Sequence, residues 1–427
     1  MYGTSGVASA SNVPGGRGVG TGWATADGTI WLFGGFGLDA GDTEPGELDD
    51  VWQFSSTTNE WTWVAGSSGI NKVAVYGSEG VAAPTNDPGG RSNFCSWTDT
   101  GGNLWTFGGA GYEIPYPGGS PVVVTLGDMW MFNIATKTWA WTGGSQSPNN
   151  VSVYGTVGVA AAGNAPGARQ QSAVWTDASS NFWLFGGYGF FEQNGTTDLS
   201  DLWEFKPSTQ QWTWMGGSQT GATSGVYGTE GTASANNLPG AREIAATWTD
   251  QSGNLWLFGG YGDDSAGTRS YLNDLWEFNP STMQWTWVAG SNLANAYGNY
   301  GTQGAAAGSN QPGARGGATA WTDASGNLWL FGGLGYGTSG ASGELGDLWK
   351  FDVSTKQWTW VGGSNQVNVS GTYGTKGAPA SGNFPGGRDS GIGFTDASGN
   401  LWLFGGYAAD SSGPDNVGLN DLWRYQP

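Results

Sequence analysis

The pair Gly-Gly, each time closing an apolar run, recurs at Gly34, Gly108, Gly186, Gly259, Gly332 and Gly405, at spacings of 74, 78, 73, 73 and 73 residues. A period of this length means that one supersecondary unit is written six times, each copy burying its apolar surface against its neighbours. Each copy reads, with variation, P-G-[AG]-R, a short alternating stretch, W-T-D-x-S-G-N-L-W-L-F-G-G, a variable segment, then L-x-D-L-W-x-F and W-T-W. All 27 tryptophans of the 427 residues fall within this scheme. The 80 glycines alone would be compatible with collagen or a disordered chain, but they do not recur at every third position. The 27 Trp, 15 Tyr and 18 Phe are also far more than a disordered segment carries.

Strands follow from period two and from the turns. In the fifth copy, residues 317–322 (GATAWT) and 328–331 (LWLF) read as two strands separated by the polar turn 323–327, which contains glycine. Residues 347–351 (DLWKF) and 357–361 (QWTWV) read as a third and fourth strand. No helical stripe is visible. Four antiparallel strands per copy, repeated radially, predict an all-β chain folded as one β-propeller over residues 1–427, with about six blades starting near 14, 88, 166, 239, 312 and 385. W-T-W, written W-A-W in the second copy, occurs only five times, so the last blade lacks its fourth strand in this chain. Residues 1–13 read as a partial connecting segment, because Tyr2-Gly3-Thr4 matches Tyr76-Gly77-Ser78.

An Arg near the first strand, an apolar second strand ending in Gly-Gly, an aromatic third strand and a Trp in the fourth together resemble the kelch-repeat family over residues 14–427. The resemblance implies a propeller in which Gly-Gly permits close approach and large rings pack between blades. It names an architecture and not an activity. Galactose oxidases share a kelch-like propeller and hold copper with tyrosines and histidines. This chain has no His, so that copper site is not carried over.

The formal net charge of −20, with only 14 basic residues, opposes an electrostatic hold on nucleic acid or anionic lipid. No apolar run is long enough to insert in a membrane as a helix, and the N-terminal residues lack the features of a secretory segment. The single Cys95 has no partner for an internal disulfide. Low charge with abundant Gly, Ser, Thr, Asn and Trp resembles secreted bacterial surface modules. Asn150, Asn194 and Asn368 head glycosylation triplets, so an extracellular or cell-surface location is expected. The chain is expected to be a monomer.

Two connection classes emerge at the same end of each four-stranded unit. One is constant, 21 residues from the Ser after W-T-W to the Pro of P-G-[AG]-R, and the other varies between Gly-Gly and L-x-D. The variable loops supply the candidate ligand-binding residues: Phe36, Tyr112, Glu113, Tyr116, Tyr188, Phe190, Phe191, Tyr261, Asp263, Asp264, Tyr336 and Tyr407. Aromatic faces beside carboxylates suit stacking and hydrogen bonding to a neutral glycan or a protein. Arg17, Arg91, Arg169, Arg242, Arg315 and Arg388 recur once per copy and read as structural partners of Asp50, Asp128, Asp201, Asp274, Asp347 and Asp421. Asp99, Asp177, Asp250, Asp323 and Asp396 read as turn acceptors, with calcium the lesser alternative. No cofactor is expected. The leading expectation is a non-catalytic binding or scaffold domain, with a carbohydrate-active enzyme using loop carboxylates and a purely structural surface array as the alternatives.

Overall fold

The computed structural model describes residues 1–25, 27–41, 44–114, 119–192, 195–408 and 418–427, and all regular structure among them is strand. The strands form repeating antiparallel sheets, one per copy in repeats 1–4, two in repeat 5 and a three-stranded sheet in repeat 6. The chain divides into two compact units, Met1–Gly221 with Phe394–Ser398, and Ala222–Gly393 with Gly399–Pro427.

Repeat 4 shows the plan. Leu255–Asp263, Arg269–Asn279 and Gln284–Ala289 are the second, third and fourth strands, paired in that order. The first strand is broken into Arg242–Glu243 and Ala246–Thr249, both paired to the second. The break falls at Ile244, whose φ is +50°, so one continuous first strand is replaced by two short ones around a left-handed residue. The register then places Trp248 opposite Trp256, Leu257 opposite Trp276, and Trp276 opposite Trp287.

Gly-Gly ends the second strand in repeats 5 and 6, after Leu328–Phe331 and Leu401–Phe404, but not in repeats 1–4. Pairing shifts by one residue between Phe258 and Gly260, a β-bulge, and the hairpin continues beyond it to Asp263 and Arg269. Both glycines are left-handed, at φ +60° and +100°, and a Cβ on Gly259 would lie 2.7 Å from the Arg315 carbonyl oxygen of the next repeat. The bulge therefore requires glycine for conformation and for close approach alike. Second strands are buried on both faces, as in Leu255–Gly260, instead of alternating. One face packs on the next sheet: Trp248, Trp256 and Phe258 pack with Leu328, Leu330, Trp349 and Trp358 of repeat 5. In the first unit, Trp97, Trp105 and Phe107 pack likewise with Phe182, Leu184 and Trp203.

The constant connection belongs to the repeat that follows it. Ala83 bridges Trp139 and Ser234 bridges Trp285, so each connection folds over the fourth strand of the next sheet. Residues 1–13 lie on the fourth strand of repeat 1 in the same way: Ser9 bridges Trp61, and the Gly6 N–H donates to the Trp63 carbonyl at 2.8 Å. In repeat 6 the third strand, Leu422–Tyr425, is the last of its sheet among the described residues.

Candidate functional site

The recurring arginines sit in polar clusters, saturated but for the buried Arg91 Nε, which has no partner among the described residues. Arg242 Nη1 and Nη2 meet Asp274 Oδ1 and Oδ2 at 2.7 and 2.8 Å, while Nη1 and Nε also donate to the carbonyls of Gly259 and Gly240 at 2.9 and 3.0 Å. Tyr227 and Trp276 donate to Asp274 Oδ2 at 2.6 and 2.7 Å. The pairs Arg17–Asp50, Arg91–Asp128, Arg169–Asp201 and Arg315–Asp347 repeat this arrangement with fully buried side chains. Arg388–Asp421 does so with Asp421 partly exposed. Burial, followed by the Asp274 charge, pushes the Tyr227 hydroxyl far above its ordinary pKa, so it remains a donor. The bidentate fork leaves little donor capacity for a ligand, and its role is to tie the first and third strands and the preceding connection together. The tyrosine was not singled out from the sequence, although Tyr2, Tyr76, Tyr154, Tyr227, Tyr300 and Tyr373 each lie 15 residues before the arginine.

The turn aspartates are also filled by protein donors. Asp250 Oδ1 accepts from the Ser252 and Asn254 N–H groups at 2.8 and 2.9 Å, and Oδ2 accepts from Asn254 Nδ2 and Trp256 Nε1 at 3.1 and 2.8 Å. Among the described residues no group of three or more acidic or cysteine side chains is arranged to hold a metal ion.

Three irregular positions stand next to one another in each sheet, although they are far apart in sequence: the residue after the arginine, the residue after Gly-Gly, and the residue before the L-x-D leucine. In repeat 1, Phe36 lies opposite both Gly18 and Glu47. In repeat 3, Tyr188 lies opposite Gln170 and Asp198, and in repeat 4, Tyr261 lies opposite Glu243 and Tyr271. Repeat 2 carries Ser92, Ala110 and Thr125, and repeat 5 carries Gly316, Leu334 and Glu344. Asp389 bridges Tyr407 in repeat 6. A near-identical framework thus carries a different row in each repeat. Glu47, Ser92 and Asp198 of these rows are buried, so the variation reaches into the interior of the sheets.

The densest row is in the second unit. Tyr261 and Tyr271 meet edge to face at 5.3 Å, Tyr271 lies 6.4 Å from Tyr336, and Tyr336 lies 5.6 Å from Tyr297. The Arg269 guanidinium lies 5.3 Å from the centre of the Tyr261 ring and 3.8 Å from Glu243. Burial and then the Asp389 charge push Glu344 up to about 8, while burial raises Asp389 to about 6. Burial, with these two carboxylates next, pushes Tyr271 up to about 12. Glu344 Oε2 and Asp389 Oδ1 are buried with no hydrogen-bond partner among the described residues. This row combines aromatic edges and faces with two buried acceptors that no protein donor satisfies among the described residues.

Of the sequence candidates, Tyr261 and Tyr336 enter this group. Phe36, Tyr112, Glu113, Tyr188, Phe190, Phe191, Tyr261 and Asp263 lie in strands, not in loops, because the hairpins continue past the glycine bulge. Tyr188 shares a hydrogen bond with Thr196 at 2.9 Å. Asp264 is a turn residue, its Oδ1 accepting from the Ala266 and Thr268 N–H groups at 2.8 Å each. The Tyr407 N–H donates to the Asp389 carbonyl at 3.0 Å. Tyr116 and Asn194 lie outside the described residues. Sequence reasoning did not single out Tyr271, Glu243 and Asp389; the signal available was their irregularity beside strictly repeated neighbours.

Buried carboxyls set a pH dependence. In the first unit, burial pushes Glu47 up to about 8, and burial with the Asp87 and Asp50 charges does the same to Asp49. A carboxyl whose folded pKa is raised keeps a proton that the unfolded chain releases, so its contribution to stability is complete near pH 4 and is lost as pH rises through about 8. Stability is therefore expected to fall by on the order of 2 kcal/mol between pH 5 and pH 9. Glu47→Gln is expected to flatten that slope. Denaturant midpoints measured across this range check it, and a stability that rises with pH would contradict it.

A scan against protein-family models finds no match to this chain, and a search of characterised proteins finds no significant relative. The class defined by the structure is thus an all-β repeat protein of antiparallel sheets, carrying irregular rows on a regular frame.

Proposed function

We propose that the six repeats close into a kelch-type β-propeller, and that the protein is a non-catalytic binding module which takes a neutral glycan on the Tyr261–Tyr271–Tyr336 group. The observation that carries this reading is the meeting of three tyrosines with the buried, unsatisfied acceptors of Glu344 and Asp389. Sugar C–H faces stack on phenol rings while sugar hydroxyls donate to carboxyl oxygens. The net charge of −20 favours a neutral ligand over an anionic one. An extracellular or cell-surface setting, expected from composition, suits such a module.

Calorimetric titration with a panel of neutral oligosaccharides tests the reading. Tyr271→Ala is expected to weaken binding at least tenfold, with the thermal midpoint changed by only a few degrees. Binding that is unaffected by Tyr271→Ala, or confined to a protein ligand, would overturn it.

One observation favours a second reading, a glycosidase. Glu344 is held protonated near neutrality beside a second carboxyl, as a general acid requires. Turnover of chromogenic glycosides that is abolished by Glu344→Gln would establish it, and binding without turnover excludes it for those substrates.

A further inference from the structure

Repeats 2 and 5 carry the same backbone at the end of the fourth strand, and only one of the two places has a ring on it. The strands Thr138–Ser145 and Gln357–Ser364 run in identical register. Gly143 and Gly144 lie opposite Met129 and Asp128, as Gly362 and Gly363 lie opposite Leu348 and Asp347. The connection that follows each strand is also held alike. Ala165 bridges Val153 as Phe384 bridges Thr372, with the Val153 and Thr372 N–H groups each donating at 2.8 Å. The Asn149 N–H donates to the Thr125 carbonyl at 2.8 Å, and the Asn368 N–H to the Glu344 carbonyl at 2.7 Å. Ala165 is therefore the counterpart of Phe384, and each place lies within a single compact unit.

In repeat 5 the Phe384 ring lies on the two glycines. A Cβ on Gly362 would be 3.2 Å from Phe384 Cε2, and a Cβ on Gly363 would be 2.5 Å from Cε1, so the ring occupies space that only glycine leaves. In repeat 2 the ring is replaced by a methyl group, and a Cβ on Gly143 would meet Glu79 Oε1 alone, at 3.9 Å. A cavity of about 450 Å³ opens here, with Gly144, Val151, Val153 and Ala165 in its lining. This is a size at which proteins hold small molecules. The polar groups beside it are turned to the protein. Ser145 Oγ donates to the Ser147 carbonyl at 2.7 Å, Asn149 Oδ1 accepts from the Thr125 N–H at 3.1 Å, and Asn150 Oδ1 is buried over Gly127.

We propose that this cavity binds a small uncharged aromatic molecule, its ring lying on Gly143 and Gly144 as the Phe384 ring lies on Gly362 and Gly363. A place that the fold shapes for a ring, and that holds only a methyl group, leaves dispersion contacts and apolar burial for a ring from outside. The paired glycines let a flat face approach closely. Glu79 at the rim and the net charge of −20 oppose an anion. The backbone places that carry the phenylalanine in repeat 5 are taken here by Ala165 and Val153 themselves, so the ring enters as a free molecule and not on another chain. This inference is independent of the tyrosine group of repeats 4 and 5.

The test titrates benzyl alcohol into the 427-residue protein and reads binding by saturation-transfer nuclear magnetic resonance. Saturable binding is expected, with toluene, the phenylalanine side chain itself, competing for it. Benzoate, the same ring carrying a charge, is expected to bind roughly tenfold more weakly. Ala165→Phe sets the ring in place in cis and is expected to lose the binding. Ala165→Leu, copying the equivalent Leu238, fills the space in part and is expected to weaken binding roughly threefold, so the outcome does not hang on the folding of the larger variant. Absence of saturation up to the solubility of benzyl alcohol, equal affinity for benzoate, or undiminished binding by the Ala165 variants each overturns the proposal. So does loss of the binding in Tyr271→Ala, which would move the ring to the tyrosine group. Binding of a peptide with the sequence of residues 381–387 (SGNFPGG) without binding of benzyl alcohol would assign the cavity to a protein partner and overturn it too.

Discussion

Asp274→Ala is expected to destabilise the protein by about 3–5 kcal/mol, because it leaves the Arg242 guanidinium buried without its counter-charge. The same change removes the acceptor of the Tyr227 and Trp276 donors, which lie at 2.6 and 2.7 Å from it. A buried donor stranded without a partner costs about 1–3 kcal/mol, so the loss is shared by the whole cluster and not by the ion pair alone. Repeat 6 provides the internal control. Asp421 has the same partners, but its side chain is 15% exposed and Tyr373 above it is open to water. Water then replaces part of what the carboxylate supplied, and Asp421→Ala is expected to cost less than half as much. Guanidinium unfolding of the two variants compares them directly. Equal losses would mean that burial of the cluster is not what makes it stabilising.

Gly259→Val is expected to prevent accumulation of folded protein, or to cost more than about 3 kcal/mol where folded protein is recovered. At φ +60° a β-branched residue is in a region that L side chains avoid. Its Cβ would also meet the carbonyl oxygens of Arg315 and Leu272, both at 2.7 Å. These contacts are backbone, so no rotamer change relieves them. Gly231→Ala separates the two causes, since Gly231 has φ +73° with nothing within 4 Å of an added Cβ. Its cost is expected to be about 1 kcal/mol, the conformational part alone. Thermal unfolding of both variants checks the difference. A Gly231→Ala loss as large as that of Gly259→Val would show that the close approach to Arg315 carries no weight.

The strands of each copy were legible because their signals are local. The turn Asp323–Asn327 and the apolar run Leu328–Phe331 place a hairpin without reference to anything outside the copy. The extent of the hairpins was not legible. Gly-Gly reads as a stop, yet Gly259 and Gly260 bend the strand and shift its register by one residue, and Tyr261 then continues it. The middle residues of the irregular rows, Phe36, Tyr188, Tyr261 and Tyr407, were found because they follow the glycine pair directly. Their flanking partners were missed because the residue that faces Tyr261 depends on that register shift.

By itself, the sequence determined the period, the four-strand content of the first five copies, the glycine pairs, and the recurrence of arginine and aspartate. These are repeated choices whose physical causes act within a few residues or are averaged over six copies. Only the tertiary structure decided which irregular residues become neighbours. It brought Glu344 and Asp389 close enough to Tyr271 for their charges to act on its hydroxyl. Side chains from three different repeats meet only after bulges fix the register of each sheet and packing fixes the sheets against one another. The spacing of residues along the chain carries no record of either.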